Sequence, residues 1–217
     1  MPQFTRDIEV RDGHGTLNVH YMHKRSEVDG AVPLLFVHGS LSLPGFGFSE
    51  APKKSGFTPD YHAEVGHKLM LSLGYNEYGR FDFNIHFSEF HARQGLIAMK
   101  YGGTHTKARH TNMSIIYYEA QHSKDSGFIS LTGGNPKIPM GVLRFPKDMV
   151  VAPMSWIKTT GNVVFAGDHT LVGTNKGGGH FAAYERPEAL VEDLRNMFGR
   201  GGPAFGVTSK KGGYFEK

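Results

Sequence analysis

The stretch Val32-Pro33-Leu34-Leu35-Phe36-Val37 is an unbroken apolar run closed by His38-Gly39. A strand with one face in water alternates apolar and polar residues. A continuous run marks a strand covered on both faces, as in a parallel sheet. Parallel strands cannot be joined by a tight turn; they need long crossovers, usually helices. This one segment therefore directs the chain toward a layered α/β architecture.

The flanking sequence agrees. Phe4 to Val10 alternates loosely and ends at Arg11-Asp12-Gly13, and Leu17 to His23 alternates again, with Leu17, Val19 and Tyr21 on one face. The pair predicts an N-terminal hairpin. Thr58-Pro59 predicts a helix start, with Thr58 as N-cap and Pro59 in the first turn. Tyr61, Val65, Leu69 and Leu73 follow at i+4 spacing, and Gly74 ends the segment. Pro187 opens a second helix whose apolar face is Leu190, Leu194, Met197 and Phe198, with Gly199 as C-cap. Ile138 to Phe145 and Asn162 to Ala166 read as strands, each followed by a loop with a titratable residue. Gly79 to Gln94 shows neither a helical nor a strand period.

Composition excludes several chemistries. The chain has 217 residues, which favours one domain with a real core. It has no cysteine, so no disulfide, thiolate zinc site or cysteine nucleophile can form. The pairs His86/His91 and His105/His110 are off the i, i+4 spacing of a helical metal pair, and no metal site is expected. The net charge of +4 comes from scattered basic residues, so no nucleic-acid face is expected. No stretch approaches about 20 consecutive apolar residues, and the first thirty are charged throughout. A soluble cytoplasmic protein without a membrane span is the expectation.

The most informative segment is Gly178-Gly179-His180-Phe181-Ala182-Ala183-Tyr184-Glu185-Arg186-Pro187. A histidine on a glycine loop ahead of a helix can be held with one ring edge exposed. An imidazole that titrates near neutrality is well suited to take a proton from water. This string is similar to the loop that carries the catalytic base in microsomal-type epoxide hydrolases of the α/β-hydrolase superfamily, fungal ones included. The resemblance runs on through Leu190, Asp193, Leu194 and Phe198 to Gly199-Arg200-Gly201-Gly202. It implies that His180 activates water.

Upstream, Gly141-Val142-Leu143-Arg144-Phe145-Pro146-Lys147-Asp148 resembles the strand and loop that end in the family's charge-relay acid. The resemblance implies that Asp148 orients His180, by the logic of a Ser-His-Asp triad. Asp168, after the last strand, is an alternative acid. Gly167 to Lys176 is longer than in relatives, and that extra length could displace His180 from Asp148. Tyr117-Tyr118-Glu119 resembles the cap tyrosine that donates to the epoxide oxygen; Tyr117 matches best, with Tyr118 one residue away. Pro33 to Gly39 resembles the strand leading into the oxyanion loop, which implies that His38 and Gly39 belong to it.

The pattern departs from the family in three places. His38-Gly39 lacks its Trp-Pro-Gly continuation, and the helix and strand that should precede Ser42-Leu43-Pro44-Gly45 are absent. After Tyr78 the family has a strand ending in a Gly-Gly-Asp-x-Gly nucleophile elbow; here Gly79-Arg80-Phe81-Asp82-Phe83 stands instead. Asp82 is the weak nucleophile candidate, because a sharp elbow needs small flanking residues. Residues 79 to 95 read as a non-family insert, and the cap is missing between Met113 and Ser114.

The expected fold is thus an incomplete α/β-hydrolase core, a mostly parallel sheet flanked by helices. It forms one domain with an N-terminal hairpin extension over about residues 1 to 30 and no cap domain. The resemblance implies hydrolysis of a small lipophilic or secondary-metabolite epoxide to a vicinal diol through an aspartyl ester, in detoxification or secondary metabolism. Water is the co-substrate, no cofactor is needed, and a homodimer would cover exposed apolar surface. The rival expectation is an inactive, truncated member of the family.

Overall fold

The computed structural model describes residues 1–37, 42–82, 139–148, 153–158, 162–170, 177–179 and 181–208. The chain forms two compact units: Met1–Arg25 with Pro33–Gly133, and Ser26–Val32 with Gly134–Lys217.

In the first unit, β1 (Gln3–Val10) and β2 (Gly15–Met22) pair antiparallel, in register from Gln3 opposite Met22 to Val10 opposite Gly15. The connection turns through Asp12 and Gly13, both at positive φ (58° and 75°). Asp is one of the few side chains that visit this region readily. Leu17, Val19 and Tyr21 are buried, as their alternation requires. On β1 the alternation reaches the core only at Ile8 and Val10. Phe4 is 45% exposed and stacks on Tyr21 at 5.7 Å.

Helix α1 (Pro59–Ser72) closes this core by laying Val65 and Leu69 against the hairpin, beside Phe57. Thr58 occupies the N-cap with extended backbone, without a side-chain cap bond. The C-terminus ends in a Schellman arrangement. Gly74, at φ 87°, donates its N–H to Leu71 O (2.9 Å), and Tyr75 donates to Met70 O (2.9 Å). On the polar side, Lys68 Nζ donates to Glu9 O (2.8 Å) and Glu64 pairs with Arg11 and Lys68.

The apolar run forms β3 (Leu34–Val37), which pairs parallel with β4 (Gly79–Asp82). Met70 of α1 packs with Leu35 over this pair. β4 lies in the segment that shows no sequence period. Four residues are too few for a period to register, and the ladder with β3, extended by Gly79 N–H to Pro33 O (2.9 Å), fixes the strand.

In the second unit, β5 (Met140–Arg144) pairs parallel with β6 (Val163–Asp168). Between them in sequence lies the short α2 (Met154–Ile157). The short α3 (Ala182–Glu185) leads into α4 (Pro187–Phe198). Helix α4 packs on glycines of both strands. A Cβ on Gly141 would lie 2.4 Å from Met197 Sδ, and one on Gly167 would lie 2.6 Å from Asp193 Oδ2. Gly199 is the C-cap as expected, but at φ −72° it uses none of glycine's freedom. The constraint sits at Gly202, whose Cβ would meet Asn196 O at 2.4 Å.

Candidate active site

The parallel ladder of β5 and β6 ends in two clamped loops, and loops at the carboxyl ends of parallel strands are where α/β folds place their sites. β5 runs into a turn from Phe145 to Asp148, with Asp148 N–H directed at Phe145 O (3.4 Å). The Gly177-Gly178-Gly179 segment returns to that turn. Lys147 N–H donates to Gly178 O (3.0 Å), and Lys147 forms an isolated parallel bridge with Gly179.

Each of the last two glycines is required for a separate reason. Gly178 sits at φ 98°, and a Cβ there would lie 2.7 Å from Phe145 Cδ1. At Gly179 a Cβ would lie 2.4 Å from Lys147 O, which is backbone and cannot swing away. The chain then turns into α3, with Ala182 N–H donating to Gly179 O (3.1 Å) and Ala182 wholly buried. The aromatics beyond face solvent, Phe181 at 54% and Tyr184 at 69% exposure.

Asp148 is half-buried and is the residue after the bridged Lys147. His180 is the residue after the bridged Gly179 and lies outside the described residues. Tyr117, Tyr118, His38 and Gly39 also lie outside them. Asp82 is the last residue of β4, in register with Val37, which immediately precedes His38. The residues that follow it lie outside the described ones.

The alternative acid, Asp168, is bound up in a clamp. Arg144 holds it in a fork, Nε to Oδ1 at 3.1 Å and Nη2 to Oδ2 at 2.7 Å. Thr170 donates its N–H (3.0 Å) and its hydroxyl (2.6 Å) to Oδ1. Burial pushes this carboxyl up, but the bonds from Thr170 and Arg144 outweigh it, and the net pKa lies below the usual range. The carboxylate is consumed in tying β6 to β5. Residues 168–170 are thus held against β5, and Gly178 and Gly179 against the turn that follows it.

Sequence reasoning missed a second pair. Asp193 of α4 is buried and meets His169 Nε2 through Oδ2 at 2.6 Å. Burial raises its pKa against the opposing bond from His169. The signal was present, since positions 190, 193, 194 and 197 form one helical stripe and a carboxylate in that stripe must find a partner.

Residues 1–43 match the family model of the epoxide hydrolase N terminus. A Dothistroma septosporum protein named as an epoxide hydrolase is 41% identical over 68 residues, 29% of this chain and 15% of its own length. Epoxide hydrolase 1 of Oryctolagus cuniculus is 36% identical over 75 residues, 35% of this chain and 15% of its own. The matched stretches thus span well under a fifth of these relatives. The solved structure of Aspergillus niger epoxide hydrolase aligns over 89% of this chain and 77% of its own, with a TM-score of 0.55 and 22% identity. An enantioselective mutant of the A. niger enzyme gives a TM-score of 0.57 over the same share of this chain. The parallel ladders, their helices and these alignments define an α/β-hydrolase fold, only part of which is present. Within that fold, the N-terminal residues 1–43 and the matched stretches are similar to epoxide hydrolases. Among the described residues, no helix is long and apolar enough to cross a membrane.

Proposed function

We propose that the chain hydrolyses a lipophilic or secondary-metabolite epoxide to a vicinal diol, with His180 as water-activating base and Asp148 as the acid that orients it. The observation that supports this most is the parallel bridge between Lys147 and Gly179. It sets the residue before the acid beside the residue before the base, on a seat that admits only glycine.

In this reading a carboxylate oxygen attacks an epoxide carbon, the ring C–O bond breaks, and the oxygen takes a proton from Tyr117. His180 then removes a proton from water, the hydroxide adds to the ester carbonyl, the adduct's hydroxyl proton passes to the departing diol oxygen as the carboxylate is regenerated, and the proton on His180 returns to the Tyr117 oxygen. Asp82 is the nucleophile candidate by its position at the strand end beside β3. His38 and Gly39, which follow β3 in the sequence, are the oxyanion-loop candidates in this reading. The reading places the protein in the cytoplasm, in detoxification or secondary metabolism.

A second reading, an inactive family member, is favoured by one observation. In the sequence Asp82 is flanked by Phe81 and Phe83 instead of the small residues that a nucleophile elbow needs. Turnover of styrene oxide by the purified full chain separates the two. The enzymatic reading expects diol from the wild-type chain and none from His180→Ala or Asp148→Ala. Absence of diol from the wild type rejects it in favour of the second.

A further inference from the structure

Asp193, His169, Phe145 and Gly178 form one continuous contact path. Asp193 on α4 meets His169 at 2.6 Å. The His169 ring stacks on Phe145, with centroids 4.7 Å apart and planes 12° from parallel. Phe145, 3% exposed, lies under Gly178, where a Cβ would come within 2.7 Å of its ring. Gly178 O receives the Lys147 N–H that seats the glycine loop.

Each link is specific. Gly167 is the gap that admits the Asp193 carboxylate, since a Cβ there would meet both its oxygens within 2.9 Å. His169 is pinned from its backbone as well, its N–H donating to Arg144 O (2.9 Å). Its neighbours Asp168 and Thr170 both hold Arg144, so the ring cannot slide along β5. Phe145 is therefore pressed between a fixed imidazole and the backbone of the loop that precedes His180.

We infer that His169, held by Asp193, is a positioning residue for the glycine loop: it fixes Phe145 and thereby the seat of Gly178 and Gly179 on Lys147. The inference rests on the reading of His180 as the base. It touches no substrate in this reading, and its effect passes through Phe145 and Gly178.

The test uses the full chain with isotopically labelled histidine. The His180 ring signal is assigned by its loss in His180→Ala, and its pH titration is followed by NMR. The variants are His169→Ala, which removes both stack and hydrogen bond; His169→Phe, which keeps a ring on Phe145; and Asp193→Asn, which keeps the shape but removes the charge. The inference expects the His180 titration midpoint to move in His169→Ala and return toward wild type in His169→Phe. It also expects kcat on styrene oxide to fall at least about tenfold with KM within about twofold, as for an interaction felt in the transition state. A merely structural pair would lower Tm in these variants and leave the His180 titration of the folded fraction unchanged, and that result overturns the inference. If His169→Ala does not fold, Asp193→Asn carries the same comparison. Because the titration needs no turnover, a wild-type chain that makes no diol rejects the hydrolase reading while the positioning claim is still decided by the ring signal.

Discussion

Glycine at 178 and 179 is where sequence and site meet most closely. Gly178 is fixed by its left-handed φ and by the Phe145 ring, Gly179 by a carbonyl oxygen 2.4 Å from where a Cβ would stand. Alanine at Gly178 should cost about 1–3 kcal/mol, the range for a strained backbone with a displaced neighbour. Alanine at Gly179 should do something different: the backbone of Lys147 must retreat, so the bridge opens. Amide exchange at Lys147 reads this directly. Its N–H donates to Gly178 O in the wild type and should exchange faster in Gly179→Ala, while the amides of β1 and β2 keep their protection. Unaltered exchange at Lys147 would show that the seat does not depend on the missing Cβ.

Among the elements, α1 and the hairpin were readable because every local signal agreed. Thr58-Pro59 set the start, the i+4 apolar spacing set the face, and Gly74 set the end. Truncating Leu69, only 2% exposed in the centre of that core, should cost about 2–5 kcal/mol in urea unfolding. Gly74→Ala should cost about 1 kcal/mol, because the Schellman turn holds that residue at φ 87°. Equal costs for the two would contradict the packing described here, in which the core outweighs the cap. One element was not readable and another only in part, for different physical reasons. β4 exists through its ladder with β3, and nothing within Gly79–Asp82 announces that partner. Helix α4 was placed correctly, but its inner face was read as wholly apolar. The buried Asp193 depends on His169, 24 residues earlier in the chain, and on the gap at Gly167. Of the site itself, the glycine seat and the Asp148 turn could be anticipated as a motif. The Arg144 fork that disposes of Asp168 could not, because it depends on the register of β5 against β6.

At the scale of the whole molecule, acid should act first through one residue that no motif flagged. His62 of α1 is packed against Phe57, with ring centroids 4.8 Å apart, and near Phe46; neither ring nitrogen has a hydrogen-bond partner. Both nitrogens are sealed from solvent although the residue as a whole is only partly buried. Burial without a partner disfavours the charged imidazole and holds its pKa down at about 4. The unfolded chain therefore binds this proton more readily than the folded one. The stability His62 contributes is present above its ordinary value near 6.5 and is lost as pH falls toward the folded value of about 4. Between about pH 7 and about pH 5 the loss should be about 2 kcal/mol. Among the described residues, four carboxylates act around this window. Asp168, Glu64 and Glu50, all lowered, lose their contributions as pH falls below the normal carboxylate range, whereas Asp193, raised by burial, regains stability as acid protonates it. Comparing His62→Phe with wild type cancels all four. The phenyl ring keeps the contact with Phe57 and has no proton to gain, so the variant should be the more stable of the two at about pH 5 by roughly 2 kcal/mol more than at about pH 7. A stability difference that stays constant across that range would mean the imidazole takes up its proton in the folded chain as readily as in the unfolded one, and the packing of α1 on Phe57 would have to be redrawn.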